Sequence, residues 1–102
     1  MDIQKMMEQA REFQEKMAGV QEELANREVT STVGGGMVSV TVNGRNEIVD
    51  LKIEPEVINP DDPRMLQDLI RAAVNDAMKK VLEMSRGEIA KLTGGLNIPG
   101  LF

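Results

Sequence analysis

The sequence predicts an α+β chain in which a long N-terminal helix, a three-stranded antiparallel meander and a long C-terminal helix follow one another. Three observations carry this. Ile3, Met6, Ala10, Phe13, Met17, Val20 and Leu24 recur at alternating spacings of three and four, the apolar stripe of a helix that packs along another helix. Over residues 28–54 the period changes to two, as in half-buried strands. From 63 to about 93 the helical period returns.

The first helix spans about residues 2–25. Asp2 stands at its positive end, where a carboxylate is favoured. Glu12 with Lys16, and Glu23 with Arg27, have the i,i+4 spacing of helical ion pairs, although Arg27 can fall past the helix end. Gly19 lies away from the stripe and costs about 1 kcal/mol against Ala with no visible return. An isolated helix of this length is marginal in water. Its stripe therefore needs a partner, either the second helix or a second copy of the chain.

The strands follow. Val29, Ser31 and Val33 alternate with Thr30 and Thr32, Gly34-Gly35-Gly36 turns the chain, and Val38, Val40 and Val42 alternate with Ser39 and Thr41. Asn43-Gly44 is a strong hairpin signal. Val49, Leu51 and Ile53 then alternate with Asp50 and Lys52, and Pro55 closes the strand. The meander thus has one apolar face for the helices to cover. Asp62 as N-cap and Pro63 at the first helical position open the second helix. Leu66, Leu69, Ile70, Ala73, Val74, Ala77, Met78, Val81 and Leu82 form its apolar face. Thirty helical residues span roughly 45 Å, more than a small sheet covers, so the far end must project or meet a partner. Gly94-Gly95 stops it, leaving an extended tail over 94–102.

The 102 residues make one domain, 1–102. With 41% hydrophobic and 28% charged residues the balance is globular. The core is thin: Phe13 and Phe102 are the only aromatics beside eight Met. Small domains with thin cores gain buried area by pairing, so a homodimer is expected, with Ile3, Met6, Phe13, Met17, Val20 and Leu24 as packing residues. The absence of Cys and His removes disulfides and the usual thiolate and imidazole ligands. No apolar run is long enough to cross a membrane, and the N-terminus lacks a signal-peptide core, so a cytoplasmic protein is expected. The net charge of −5 opposes a whole-surface grip on nucleic acid without excluding a local basic patch.

Few side chains suggest catalysis. A phosphate loop needs a strand before its glycines, a helix after them and a Lys-Ser/Thr pair; strands flank Gly34-Gly35-Gly36 on both sides, so a hairpin turn is the better reading. Glu22-Glu23, Asp61-Asp62 and Glu54 with Glu56 lie in polar turns or on a charged helix face, not in a dry cleft that would separate their pKa values. Without His, Cys, Tyr or Trp most nucleophile and base schemes are closed. No enzyme and no cofactor is expected. Met6, Met7, Met17, Met65, Met78 and Met84 fall on or beside the helix faces and suit core or dimer packing better than a promiscuous binding surface.

Charge is uneven. Residues 1–54 hold six basic and ten acidic side chains, whereas residues 77–102 hold Lys79, Lys80, Arg86 and Lys91 against Glu83 and Glu88. Lys79 and Arg86 align opposite the apolar face, and Lys80 and Lys91 share a flank. If the helices pair antiparallel, Lys5 and Arg11 come near this end, giving a basic patch at the helix tips that a dimer doubles. Cations near a helix C-terminus are also what the dipole favours, and Glu83 between Lys79 and Arg86 blunts the patch. On the residues alone that structural reading weighs more.

The order of elements resembles a known family. The heptad helix, residues 34–44 (Gly-Gly-Gly-Met-Val-Ser-Val-Thr-Val-Asn-Gly), residues 48–53 (Ile-Val-Asp-Leu-Lys-Ile), residues 65–77 (Met-Leu-Gln-Asp-Leu-Ile-Arg-Ala-Ala-Val-Asn-Asp-Ala) and residues 95–102 (Gly-Leu-Asn-Ile-Pro-Gly-Leu-Phe) together are similar to the YbaB/EbfC nucleoid-associated proteins of bacteria, over nearly the whole chain. The segment 65–77 and the tail are specific together. The chain departs in having no Gly/Met-rich leader before the first helix, an end expected to vary. The resemblance implies a tweezers-like homodimer whose sheets join and whose helices project, and duplex DNA binding with weak sequence preference in the nucleoid. It transfers no residue-level binding motif. The site residues therefore come from the charge map: Lys79, Lys80, Arg86, Lys91, Lys5 and Arg11, with phosphate contacts sensitive to salt. Few aromatics disfavour single-stranded binding. The rival is a cytoplasmic protein–protein adaptor that uses the Met-rich seam or the Leu101-Phe102 tail.

Overall fold

A computed structural model describes residues 2–92. The elements are α1 (Ile3–Asn26), β1 (Glu28–Val33), β2 (Val38–Asn43), β3 (Ile48–Ile53), a single 3-10 turn at Pro55–Val57, and α2 (Pro63–Leu92). The strands form one antiparallel sheet in the order β1-β2-β3. The expected stop at Gly94-Gly95 and the extended tail lie outside the described residues.

Both helix starts follow from their caps. The Asp2 carboxylate accepts the Gln4 N–H at 3.1 Å and the Lys5 N–H at 3.4 Å, satisfying two donors of the first turn. Asp62 does the same for the Met65 N–H at 3.4 Å, one residue ahead of Pro63. The three glycines of the first hairpin all have positive φ (64°, 68° and 98°), as a turn requires.

The second hairpin differs from a two-residue Asn-Gly turn. Its loop runs over residues 44–47, and the residue with positive φ is Asn46, at 61°. The Asn43 side chain shapes it, accepting the backbone N–H groups of Arg45 and Glu47 at 2.9 and 3.1 Å. Gly44 is needed for another reason: a Cβ there would collide with the Leu24 carbonyl at the end of α1. The Gly44 N–H donates to the Arg27 carbonyl at 3.1 Å, so this loop is the seat of α1 on the sheet.

The core lies between α2 and two of the three strands. Val38, Val40 and Val42 are fully buried, facing Ala73, Ala77 and Val81 of α2. Alanines on the contact face let the helix approach closely, and the valines fill the pleat beneath. Val57 in the 3-10 turn closes the same cluster. The expectation that the helices together roof the sheet is corrected in two respects. Only α2 covers it, over β1 and β2. On β3, Ile48, Val49 and Leu51 stay 45–50% exposed, with a bulge between Thr41 and Val42 in the register to β2. Leu82, placed on the apolar face by periodicity, is 50% exposed.

α1 does not pack along α2. Of its stripe only Leu24 is buried, Met17 and Val20 are half-buried, and Ile3, Met6, Ala10 and Phe13 are exposed. The molecule measures 72 Å along its longest axis, well beyond the roughly 45 Å of α2, so α1 stands off the body as an arm. The within-chain partner for the seam is thereby removed from the two alternatives. Nothing in the structure explains Gly19, around which an added Cβ meets only open space.

Two outcomes follow for stability. Val40→Ala lowers the unfolding free energy by about 2 kcal/mol in urea denaturation, from lost transfer energy and an unfilled cavity. Gly19→Ala raises it by up to about 1 kcal/mol, since helical φ and free space remove every penalty.

Candidate nucleic-acid interface

Lys79, Lys80, Arg86 and Lys91 are all exposed on the C-terminal half of α2, but their neighbours divide them. Lys80 Nζ lies 3.2 Å from Asp76 one turn earlier, and Lys91 Nζ lies 3.6 Å from Glu88. Glu88 also receives Arg27 Nη1 at 3.1 Å. Lys79 and Arg86 stand in no ion pair among the described residues, nor does Glu83 between them. Seven residues apart, they share one stripe of the helix, facing solvent. Of these four cations, Lys79 and Arg86 are the two with no carboxylate in salt-bridge range.

The partnered cations have structural work. Ser31 points inward from β1 and is fully buried, and its hydroxyl donates to Asp76 at 2.6 Å. This bond holds the Asp76 carboxyl below the ordinary aspartate range, and Lys80 adds to the effect. The Arg27 guanidinium bond likewise lowers Glu88, with Lys91 nearby adding its charge. Arg27 has helical spacing from Glu23 but does lie past the helix end, the alternative its position allowed. It stands at the C-cap in extended backbone, and its side chain pairs with Glu88 of α2. Together the Arg27–Glu88 pair and the Gly44–Leu24 approach fix where α1 leaves the body.

Lys5 and Arg11 stand elsewhere. Both are exposed on the free part of α1, and Lys5 is roughly 30 Å along the helix from Arg27. One chain therefore does not gather all six cations in a single patch, because the antiparallel pairing of α1 on α2 that would bring them together is not formed. Ile3, Met6 and Phe13 line the same arm as an exposed apolar edge. Among the described residues no three acidic side chains cluster to hold a metal ion, and no helix is long and apolar enough to cross a membrane.

Sequence reasoning missed Ser31, Asp76 and the Arg27–Glu88 bridge. Ser31 was detectable in principle: a polar residue between Val29 and Val33 on the buried register demands a partner. Arg27 and Glu88 are 61 positions apart and carry no local signal.

The model of the YbaB/EbfC DNA-binding family matches residues 1–96. A nucleoid-associated protein of Clostridium acetobutylicum is 55% identical over 100 residues, covering 98% of this chain and 89% of its own. One of Pelotomaculum thermopropionicum is 54% identical, covering 99% and 96%. Among solved structures, an uncharacterised protein of Helicobacter pylori superposes with a TM-score of 0.77 at 29% identity, over 91% of this chain and 98% of that one.

Because Asp76 is depressed in the folded chain, it adds stability above the unfolded aspartate pKa and loses it as the pH falls through the folded value. Ser31→Ala returns Asp76 toward an ordinary aspartate in a carboxyl NMR titration. The stability gap between the parent and Ser31→Ala narrows as the pH drops below about 4.

Proposed function

The chain belongs to the YbaB/EbfC DNA-binding family, and from that premise we propose that it binds duplex DNA as a homodimer and acts in the nucleoid. The family match carries the choice of ligand. Lys79 and Arg86 support the place, since of the four cations on the C-terminal half of α2 they are the two without a carboxylate in salt-bridge range. Lys80 and Lys91 contribute to the local potential while holding Asp76 and Glu88. Lys5 and Arg11, on the projecting arm, reach a second stretch of backbone. Contacts of this kind are to phosphate, so sequence preference is weak.

The homodimer is supported by what one chain leaves uncovered: the α1 stripe (Ile3, Met6 and Phe13, with half-buried Met17 and Val20 toward its base) and the aliphatic side chains of β3. Burying these against a second copy supplies the area that the thin core lacks. The exposed Met6, Met7 and Phe13 edge equally favours a second reading, an adaptor that docks another protein. The two separate on salt, because a dry apolar interface lacks the counterion release that drives phosphate binding.

Fluorescence anisotropy with a labelled duplex at about 50 and 200 mM salt tests the reading. Affinity falls steeply between the two concentrations, and Lys79→Ala/Arg86→Ala weakens binding and flattens the salt slope by roughly 0.9 for each contact removed. Binding untouched by that variant and lost in Lys5→Ala/Arg11→Ala moves the site to the arm. No binding at the lower salt favours the adaptor.

A further inference from the structure

α1 meets the rest of its own chain at one end, through contacts of two kinds. The first is apolar and backbone: Leu24 is buried, and the Gly44 N–H donates to the Arg27 carbonyl at 3.1 Å. Neither contact involves a net charge, so salt does not screen it. The second is ionic. Arg27 Nη1 reaches Glu88 on α2 at 3.1 Å, with the two side chains 45% and 33% exposed. Among the described residues no other ion pair ties the end of α1 to α2 or to the sheet. A pair this exposed is weakened by dissolved salt.

Glu88 also has a second cation within reach. Lys91 Nζ stands 3.6 Å away, one turn further along the same helix. When Arg27 leaves, Glu88 keeps Lys91 and the guanidinium returns to water. Neither arrangement strands an unpaired buried charge, which is the large cost of breaking a buried pair. The junction therefore has two arrangements of similar cost, and the length of the arm amplifies the difference between them. From Arg27 to Gln4 the arm is roughly 35 Å long at about 1.5 Å per residue, so a swing of about 10° carries its tip through roughly 6 Å.

We propose that Arg27 and Glu88 form a salt-operated latch on the angle of α1. It is closed while Arg27 holds Glu88 and open when Glu88 is left to Lys91, with Leu24 and Gly44 as the pivot. The closed latch keeps Lys5 and Arg11 at a fixed offset from Lys79 and Arg86, and the open latch releases them. The device belongs to the single chain and stands whether or not the arm touches DNA.

The chain contains no cysteine. Spin labels at Gln4→Cys and Asn75→Cys, both exposed positions, thus report the angle by double electron–electron resonance. Labelled chain is refolded with an excess of unlabelled chain, so that distances within one chain are read. The distance distribution is narrow at about 50 mM salt and wider by roughly 6 Å or more at about 500 mM. Arg27→Gln is already wide at the lower salt, and the exchanged pair Arg27→Glu/Glu88→Arg is narrow again. Lys91→Ala, which leaves Glu88 only Arg27, raises the salt concentration needed for widening. Equal widths in the parent and Arg27→Gln overturn the latch, as does an exchanged pair as wide as the single variant. Lys91→Ala without effect overturns the handover of Glu88 between the two cations.

Discussion

Contact between the alanine face of α2 and the valines of β2 is the constraint on which the rest depends. Ala73 and Ala77 bring the helix axis close enough for Val38, Val40 and Val42 to be wholly excluded from water. Because the helix sits that close, it can roof only two strands, and β3 is left outside its shadow. The same placement puts Asp76 directly over β1, where Ser31 can reach it. A core so small has little room for error. It is also directional, since a buried hydroxyl bonded to one carboxylate permits only one rotation and one axial position of the helix.

The arm follows from that body. α1 has no lateral packing on its own chain, so its direction is set at its base by Leu24 in its socket, Gly44 against the helix end and Arg27 bonded to Glu88. All three lie within one helical turn of the junction. The remaining turns are helical because Asp2 caps them and because the sequence is rich in good helix formers, yet a helix of this length rarely holds in water on propensity alone. The exposed stripe is thus an apolar face that the chain itself leaves uncovered.

Elements and their order were legible because they rest on local chemistry. The period of three and four in α1, the strand alternation and the Asp62-Pro63 start each act over a few residues, and the structure has them nearly at the expected bounds. What could not be read is relative placement. A heptad stripe states that a helix needs a partner and says nothing of which, so α2 and a second copy of the chain stand as alternatives until the placement of α1 is known. Alternation marks Leu51 as apolar-facing without revealing that α2 stops short of β3. Among the candidate site residues, exposure of Lys79, Lys80, Arg86 and Lys91 was readable from the wheel. The division between partnered and unpartnered cations was not, because it depends on rotamers and on Ser31, whose buried position a polar break in an apolar register could have flagged.

An acidic chain that grips a polyanion presents an electrostatic problem, and the structure bears on its solution. At physiological salt the Debye length is about 8 Å, so charges far along α1 hardly affect the potential at Lys79 and Arg86. Local arrangement then counts for more than the total of −5. Near those cations, Asp76 and Glu88 are already neutralised by Lys80, Lys91 and Arg27, which leaves Glu83 as the anion between them. Two or three phosphate contacts from one chain make a weak, salt-steep interaction. A dimer doubles them on a rigid frame, and the second set then binds at the high effective concentration set by the first. Pairing of chains and binding of DNA are therefore coupled in this reading. On the same reading the net negative charge keeps the isolated patches weak, and grip rests on assembly more than on any single cation.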